Sequence, residues 1–182
     1  MIVIPLDIEG LYLLEPVVHG DHRGYFMESY NEEILQRQGI QVRFVQDNHS
    51  LSAEKGVIRG LHYQLPPKAQ TKLVRVLAGA IYDVVVDIRR HSPTFGKWIG
   101  ITLSEENKRQ LLVPKGFAHG FCTLAPNTQV LYKVDEYYAP EYDRGIRWND
   151  PTLQIDWPFT DPVLSDKDRT HPELKHAELG FE

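Results

Sequence analysis

Two short segments of the chain place a histidine close to glycine in an apolar setting. The first is Gly60-Leu61-His62-Tyr63-Gln64 and the second is Gly116-Phe117-Ala118-His119-Gly120. Together they resemble the two halves of a small β-barrel pocket that holds a metal ion, but Gln64 stands where a second histidine ligand would lie. We therefore expect a metal-free pocket in which histidine acts as a base, because its unperturbed pKa is about 6.5.

Other side chains could complete acid–base chemistry around His62. Lys72 begins a predicted strand after a Pro-Pro turn, where its ammonium group could stabilise a developing oxyanion. Tyr132 is a candidate proton donor. A histidine base works best when a carboxylate fixes its tautomer, and the sequence leaves three candidates open. These candidates are Asp83, Asp87 and Asp168.

Strand parity predicts that these groups converge. Alternate side chains of a strand share a face, so Tyr132 lies on the more apolar face of its strand and His119 shares a face with Phe117 and Phe121. By the same alternation, Lys72 shares a face of its strand with Val74 and Val76. A lysine, a tyrosine and a histidine are therefore expected to point into one barrel interior, and a buried lysine without a function is uncommon.

The elements that must position these groups are mostly strands. Short apolar or alternating runs are broken about every ten residues by Gly, Pro, Asn or Ser, which favours a mainly β jelly-roll barrel with a few short helices. Ala78-Gly79-Ala80 and Pro126-Asn127 are predicted to be hairpin turns. The predicted strands are Leu11–Val18, Phe44–Leu51, Gly56–Tyr63, Lys72–Leu77, Ile81–Asp87, Lys97–Leu103, Gln110–Val113, Ala118–Leu124 and Thr128–Tyr137.

Two helices are predicted from their capping residues. Asn31 can cap a helix whose first turn holds two glutamates, and Gly39 can end it. A shorter helical turn is predicted to start at Ser165. The tail after Trp157 is rich in proline and charge, and we expect it to wrap the barrel rather than form a domain. We therefore expect one domain over residues 1–182, with N-terminal strands and a C-terminal arm.

Composition excludes several classes of protein. A net charge of −5 argues against a general nucleic-acid binder, and no apolar run is long enough to span a membrane. The N-terminus lacks the features of a signal peptide, so a cytoplasmic protein is expected.

Cys122 is the single cysteine, which rules out an internal disulfide and indicates a buried structural thiol. Five histidines are interpreted as surface residues: His19, His22, His91, His171 and His176.

A second group of residues could bind a ligand. Arg23 and Arg59 could each present a fork to phosphate oxygens. The polar run Gln46-Asp47-Asn48-His49-Ser50 is unlike a plain strand and could line a rim. Tyr137-Tyr138 could stack on a flat base or sugar.

Six blocks of sequence, in this order and spacing, resemble the dTDP-4-dehydrorhamnose 3,5-epimerase family, which comprises metal-free, cupin-like sugar-nucleotide epimerases. The resemblance covers nearly the whole chain, and the combination is far more specific than any single block. The blocks are Asp21-x-Arg23-Gly24-x-Phe26-x-Glu28-x-Tyr30, Gln46-Asp47-Asn48-His49-Ser50, Gly56-x-Ile58-Arg59-Gly60-Leu61-His62-Tyr63-Gln64, Lys72-Leu73-Val74-Arg75-Val76, Pro114-x-Gly116-Phe117-Ala118-His119-Gly120-Phe121 and Gly145-Ile146-Arg147-Trp148-Asn149-Asp150-Pro151.

The resemblance implies epimerisation at C3 and C5 of a dTDP-linked 4-keto-6-deoxyhexose, without cofactor or metal, by a homodimer that pairs through exchanged strands. It implies His62 as the base paired with Asp168, Tyr132 as the proton donor and Lys72 at the C4 oxygen. The family usually has glutamate where this chain has Asp143. The implied substrate-binding residues are Arg23, Glu28, Gln46, Asp47, Asn48, Arg59, Lys72, His119, Tyr138, Asp143 and Lys167.

The chemistry also fits the residue types. Both carbons flank the C4 ketone, so loss of either proton gives an enolate on one oxygen that a single cation can stabilise. Three alternatives stay open: an epimerase acting at C3 or C5 alone, a non-catalytic sugar-binding cupin, and a divalent-metal cupin using His62 and His119. The missing carboxylate ligand counts against the metal cupin.

Overall fold

The computed structural model describes residues 1–182. Thirteen strands alternate with two short helices and two 3-10 turns along the chain. The strands are β1 (Ile2–Pro5), β2 (Tyr12–Glu15), β3 (Val18–Asp21), β4 (Gly24–Met27), β5 (Gln46–Ser52), β6 (Ile58–Gln64), β7 (Lys72–Ala78), β8 (Ala80–Asp87), β9 (Trp98–Ser104), β10 (Gln110–Val113), β11 (Phe117–Thr123), β12 (Thr128–Val134) and β13 (Asp143–Gly145). The helices are α1 (Glu32–Arg37) and α2 (Asp166–Thr170), and the 3-10 turns span Pro140–Tyr142 and Leu174–His176.

Two antiparallel sheets form the barrel. The larger sheet has six strands in the order β1-β2-β10-β7-β12-β5, and the smaller has five in the order β13-β6-β11-β8-β9. Neighbours in each sheet are mostly distant in sequence, so the chain passes repeatedly from one sheet to the other. The predicted mainly β jelly-roll with a few short helices is confirmed.

Side chains of the central strands are buried on both faces. Along β8, Ile81 and Val85 point into the core between the sheets, whereas Val84 and Val86 point to the outer face of the smaller sheet. Successive residues of a strand face opposite sides, so both faces of β8 need cover. Cys122 lies in the outer cluster, where burial raises the pKa of its thiol to about 11, as expected for a structural cysteine.

The outer faces of the two sheets are covered by different parts of the chain. On the larger sheet, Leu35 of α1 packs against Leu14 and Leu73. On the smaller sheet, Trp157 and Leu179 of the C-terminal segment join the cluster around Val84 and Val86. None of the helices has the length and apolar character needed to cross a membrane.

The two predicted helices form where their caps indicate. The Asn31 side chain accepts a hydrogen bond from the Ile34 N–H at the start of α1, and Gly39 follows its end with φ +79°. Ser165 caps α2, because its side chain accepts a hydrogen bond from the Asp168 N–H. Both helix predictions are confirmed.

The two predicted hairpins are wrong. Ala78-Gly79-Ala80 joins β7 of the larger sheet to β8 of the smaller sheet, and Pro126-Asn127 lies between β11 and β12, which also belong to different sheets. Turn-forming residues permit a sharp reversal, but they do not decide which strands pair. Here the strands on either side of each turn pair with more distant partners, and the turns serve as barrel corners.

A hairpin of β3 and β4 was not predicted. The predicted strand Leu11–Val18 is instead split, with β2 ending at Glu15 and β3 starting at Val18. β3 and β4 pair only with each other and belong to neither main sheet. Their apolar side chains are exposed, and Phe26 retains 71% of its accessible surface.

Gly60 and Gly120, which lie close to His62 and His119 in the sequence, allow strands β6 and β11 to pack closely. A Cβ at Gly60 would lie 2.5 Å from Gly120 Cα and 2.8 Å from the His119 carbonyl oxygen, so β6 and β11 approach closely here. The strand register shifts between His119 and Phe121, so the irregularity includes Gly120 and lies at this contact. Glycine at these positions therefore sets how the two strands that carry His62 and His119 meet.

We predict that Gly60→Ala lowers the free energy of unfolding by at least about 3 kcal/mol, because it combines a backbone clash with φ +127°. Chemical denaturation measures this change. Gly39→Ala is the matched control, since its φ is +79° but nothing lies within 4 Å of the added Cβ. Equal losses in the two variants would contradict the proposed close packing.

Candidate active site

A cavity of about 220 Å³ opens between the two sheets. A second cavity of about 150 Å³ adjoins it, and the two share His62, Lys72, Tyr132 and Lys167 in their walls. Small-molecule sites usually occupy roughly 300–1,000 Å³, so the two cavities together suit a ligand of that class. The larger cavity is lined by Ser50, Arg59, His62, Lys72, His119, Phe121, Tyr132, Ser165, Lys167 and Asp168.

His62 on β6 is paired with Asp168 on α2. Its Nε2 lies 2.5 Å from Asp168 Oδ1, so Nε2 carries the proton of this hydrogen bond and the lone pair is on Nδ1. Of the three candidate carboxylates, Asp168 is therefore the partner. Asp83 contacts His119 instead, and Asp87 is bound by Arg89.

The surroundings keep the pair in the form that a base requires. Burial lowers the pKa of His62, and nearby Lys72 and His171 lower it further, while Asp168 partly offsets this shift. Burial alone would raise the pKa of Asp168, but contacts with His171, His62 and Ser165 hold it below its usual range. At neutral pH the imidazole is thus neutral and the carboxylate is charged.

Lys72, at the start of β7, reaches the same cavity from the larger sheet. Only 9% of the residue is exposed, and burial lowers the pKa of its ammonium group to about 8. Asp143 and Asp83 oppose this shift through their charges, but neither forms an ion pair with Lys72. A buried cation without a partner in a cavity is suited to binding an anionic oxygen.

Tyr132 on β12 faces the cavity as strand parity predicts. Burial raises the pKa of its hydroxyl, with a further contribution from Asp143, whereas Arg59 lowers it. The hydroxyl therefore stays protonated at neutral pH and can donate. His119, Lys72 and Tyr132, the residues of the parity prediction, line one cavity, so their predicted convergence in the barrel interior is confirmed. His62 lines the same cavity from β6 of the smaller sheet.

Polar groups at the cavity wall are held in place by their own contacts. His119 lies opposite His62 in the strand pairing, and its Nε2 is 2.6 Å from the buried Asp83 Oδ1. The Arg59 guanidinium donates to the Ser52 hydroxyl and to the Leu51 carbonyl oxygen, which fixes its position at the rim.

Asp143 is the centre of a polar group at the smaller cavity. Its carboxylate forms an ion pair with Lys167 and accepts a hydrogen bond of 3.2 Å from the Tyr138 hydroxyl. Although aspartate is shorter than the glutamate expected at this position, Asp143 contacts two of the residues predicted to bind substrate. Its charge also acts on Lys72 and Tyr132.

Gln64, which stands where a metal ligand was considered, has a structural role. Its amide group donates to the carbonyl oxygens of Lys68 and Tyr137 and accepts a hydrogen bond from the Ala139 N–H. It thereby holds the segment that carries Tyr138. Gln46 supports the same segment, because its Oε1 accepts a hydrogen bond from the Tyr138 N–H.

Five residues predicted to bind substrate line neither cavity within one chain, namely Arg23, Glu28, Gln46, Asp47 and Asn48. Arg23 sits at the turn of the β3–β4 hairpin, pairs with Asp21 and has 78% of its side chain exposed. Glu28 follows β4, where it contacts Asn31. Asp47 pairs with Lys133, whereas its neighbour Asn48 bonds to Gln46 on the other face of β5.

The interpretation of His171 as a surface residue is wrong. Its side chain is only 10% exposed, and its ring packs edge-on against His62 with ring centroids 5.4 Å apart. Sequence reasoning missed it because it follows α2 in a segment of proline and charge. Its spacing of three residues from Asp168 was the available signal. The other four histidines are exposed as expected.

Comparisons with known proteins agree on one family. A model described as dTDP-4-dehydrorhamnose 3,5-epimerase matches residues 5–176. The dTDP-4-dehydrorhamnose 3,5-epimerase of Shigella flexneri is 54% identical over 169 residues, covering 92% of this chain and 93% of that protein.

Solved structures give the same result. The dTDP-4-dehydrorhamnose 3,5-epimerase of Bacillus anthracis, with TDP and PPi bound, is 60% identical with a TM-score of 0.92, and the match covers 94% of this chain and 98% of that one. The dTDP-6-deoxy-D-glucose-3,5-epimerase of Legionella pneumophila, in complex with dTDP-4-keto-L-rhamnose, is 49% identical with a TM-score of 0.91 and coverages of 96% and 93%. Sequence, fold and cavity thus lead to one assignment: the chain belongs to the dTDP-4-dehydrorhamnose 3,5-epimerase family.

Proposed function

We propose that the chain is an epimerase that inverts C3 and C5 of dTDP-4-dehydro-6-deoxy-D-glucose to give dTDP-4-dehydro-L-rhamnose. One observation carries this proposal: a neutral imidazole, an unpaired ammonium group and a protonated phenol line one cavity. Two relatives that are about half identical to this chain are known as 3,5-epimerases of dTDP-linked sugars.

His62 is the base of the proposed reaction. Because Asp168 holds the proton of Nε2, the Nδ1 lone pair accepts the proton from the carbon next to the ketone. The carboxylate also stabilises the imidazolium ion that forms, as a charged partner does for a histidine base. The proton at C3 and the proton at C5 are removed in separate steps by the same nitrogen.

Lys72 and Tyr132 complete each inversion. Loss of either proton places negative charge on the C4 oxygen, and the buried Lys72 ammonium group stabilises that enolate in both steps. Tyr132 then donates its proton to the opposite face of the carbon, and solvent restores it. The electrons of the broken C–H bond return to carbon in the new C–H bond, so no oxidant, reductant or nicotinamide takes part.

The remaining polar groups are proposed to hold the nucleotide. Arg59 lies at the rim and supplies charge for the diphosphate. Lys167 and Asp143 line the smaller cavity beside Tyr138, whose exposed ring is suited to stacking on thymine. His119 contributes a polar group to the wall of the larger cavity, and Gln46 and Asn48 share a face of β5 with Ser50, which also lines it. The free, buried Cys122 is consistent with the reducing cytoplasm, where we place the protein.

We propose that the active unit is a homodimer. Exposed side chains of the β3–β4 hairpin, among them Tyr25 and Phe26, are apolar, and such a patch often marks an interface. The hairpin belongs to neither main sheet, and Arg23 at its turn lines neither of the two cavities. In a pair that exchanges this hairpin, Arg23 and Glu28 would bind the nucleotide in the partner's site.

Deuterium incorporation tests the reaction directly. We predict that the enzyme, incubated with the keto sugar nucleotide in deuterated water, places deuterium at both C3 and C5, because each proton passes through a group that exchanges with solvent. Nuclear magnetic resonance of the recovered sugar measures the label. Deuterium at one carbon alone would indicate a single-centre epimerase, and no label would indicate a binding protein.

Two variants separate the base from the donor in the same assay. His62→Asn removes the base and is expected to abolish exchange at both carbons. Tyr132→Phe keeps the base, so exchange continues while formation of the inverted product falls about 10²–10⁴-fold. Equal loss of exchange and product in Tyr132→Phe would contradict the donor role.

The pKa of Lys72 predicts an alkaline limit to activity. Burial lowers this pKa to about 8, so the cation is present below that pH and is lost above it, and the rate should fall about tenfold per pH unit beyond it. The pKa of Tyr132 is raised, so Tyr132 does not titrate in this range. A pH profile of kcat/KM, which reports groups of the free enzyme, measures the limit.

Lys72→Arg is the matched variant for this limit. Arginine stays charged across the range, so the variant should be slower but should lose the decline near pH 8. Lys72→Met should be at least about 100-fold slower at every pH, because it removes the charge. A decline near pH 8 that persists in Lys72→Arg would assign it to another group.

Mixed dimers test whether Arg23 acts across the interface. His62→Asn and Arg23→Ala chains, co-expressed, form hybrid dimers in which one site combines the two intact residues. About a quarter of the wild-type activity is then expected, since half of the dimers are hybrids with one working site each. The control pair His62→Asn with Lys72→Met stays inactive, because both residues belong to one chain's cavity. No recovery with Arg23→Ala would contradict the exchange.

A further inference from the structure

Three potential metal ligands converge on the side of His62 that faces away from its free Nδ1 atom. They are His62 Nε2, Asp168 Oδ1 and His171 Nε2, and each lies within 4.8 Å of the other two. The mechanism above uses the first two as a hydrogen-bonded pair and gives His171 no step.

His171 presents a buried nitrogen with no partner. Its Nε2 makes no hydrogen bond, although nine-tenths of the side chain is buried. At 3.5 Å from Asp168 Oδ1, this nitrogen is close enough to help lower the pKa of that carboxyl but too far away for a good hydrogen bond. A buried polar atom without a partner is unfavourable, so this nitrogen is available to a ligand that can reach it.

The ring of His171 is held where it is by its neighbours. A Cβ at Gly145 would lie 2.4 Å from His171 ring atoms, so the imidazole packs directly on the backbone of β13. On its other side it meets the ring of His62 edge-on. The nitrogen is therefore presented to Asp168 by packing and not by a hydrogen bond.

Two imidazoles and one carboxylate form a ligand set that Zn²⁺ binds, with its fourth position left to water. Tetrahedral bonds of about 2.0–2.1 Å place ligand atoms about 3.3 Å apart. Asp168 Oδ1 and His171 Nε2 are already 3.5 Å apart. The pair formed by His62 and Asp168, at 2.5 Å, needs to open by less than about 1 Å.

We propose that Zn²⁺ binds to His62, Asp168 and His171 and switches the enzyme off. Coordination at Nε2 requires its lone pair, so the proton of the neutral imidazole moves through solvent to Nδ1. The nitrogen that faces the substrate then carries a hydrogen and has no lone pair. The metal thus removes the base by taking its second nitrogen at the cavity wall that His62 and Asp168 form, while Arg59 and Lys167 stay free to bind the sugar nucleotide.

This inference rests on the proposed role of His62 Nδ1 as the base, and it predicts a particular kinetic signature. Zn²⁺ should lower kcat while KM for the sugar nucleotide stays unchanged, because Arg59 and Lys167 are not among the ligands. Removal of the metal with a chelator should restore the rate. An increase in KM with kcat unchanged would place the metal in the substrate cavity and overturn the proposal.

Direct binding of Zn²⁺ separates this proposal from the proposed function. Competition with a chromophoric chelator should give one ion per chain for the wild-type protein in the absence of substrate. His171→Asn and His171→Phe should each weaken binding at least about 100-fold, since each removes a ligand. The readout needs no epimerase activity, so it holds even if the reaction assignment fails.

His176→Asn is the matched control, because His176 is an exposed histidine a few residues from the cluster. It should keep both the binding of Zn²⁺ and the inhibition. For each variant, inhibition is the ratio of its own rates with and without metal, so a change in its basal rate does not affect the comparison. Unchanged affinity in both His171 variants, or loss of affinity in His176→Asn, would place the metal elsewhere and overturn the proposal.

Discussion

The hydrogen bond between His62 and Asp168 is the interaction on which the site depends. It joins β6 of the smaller sheet to α2 of the C-terminal segment, two parts of the chain that are 106 residues apart in sequence. It fixes the tautomer of the imidazole, with the hydrogen on Nε2 and the lone pair on Nδ1. In the proposed reaction, loss of this bond would leave the base without a fixed tautomer.

The two sheets divide the chemistry between them. The smaller sheet supplies His62 and His119, while the larger supplies Lys72 and Tyr132. The proposed acid and base therefore come from different sheets, and this suits an inversion, in which a proton leaves one face of the carbon and returns to the other. The jelly-roll also explains why the cation is buried without a partner: the sheets exclude water around Lys72, and the nearest carboxylates are engaged by His119 and Lys167.

The sequence was informative where local chemistry decides the outcome. Parity along single strands placed Tyr132 and Lys72 correctly, and the capping residues Asn31 and Ser165 marked both helices. Pairing between strands was not accessible, because Gly79 and Asn127 allow a reversal without specifying which sheet receives the next strand. Burial of His171 was also hidden, since it depends on how the C-terminal segment packs against Gly145. The choice among Asp83, Asp87 and Asp168 required coordinates for the same reason.

The position of Asp168 in the chain has a consequence for biosynthesis. Every strand of both main sheets precedes α2, so the barrel has all its strands before the acid that completes the dyad is translated. The C-terminal segment then packs against the finished smaller sheet through Trp157 and Leu179. Under the proposed mechanism a nascent chain has no complete dyad until α2 has left the ribosome, and proteolytic removal of α2 would inactivate the enzyme while leaving every strand of the barrel in place.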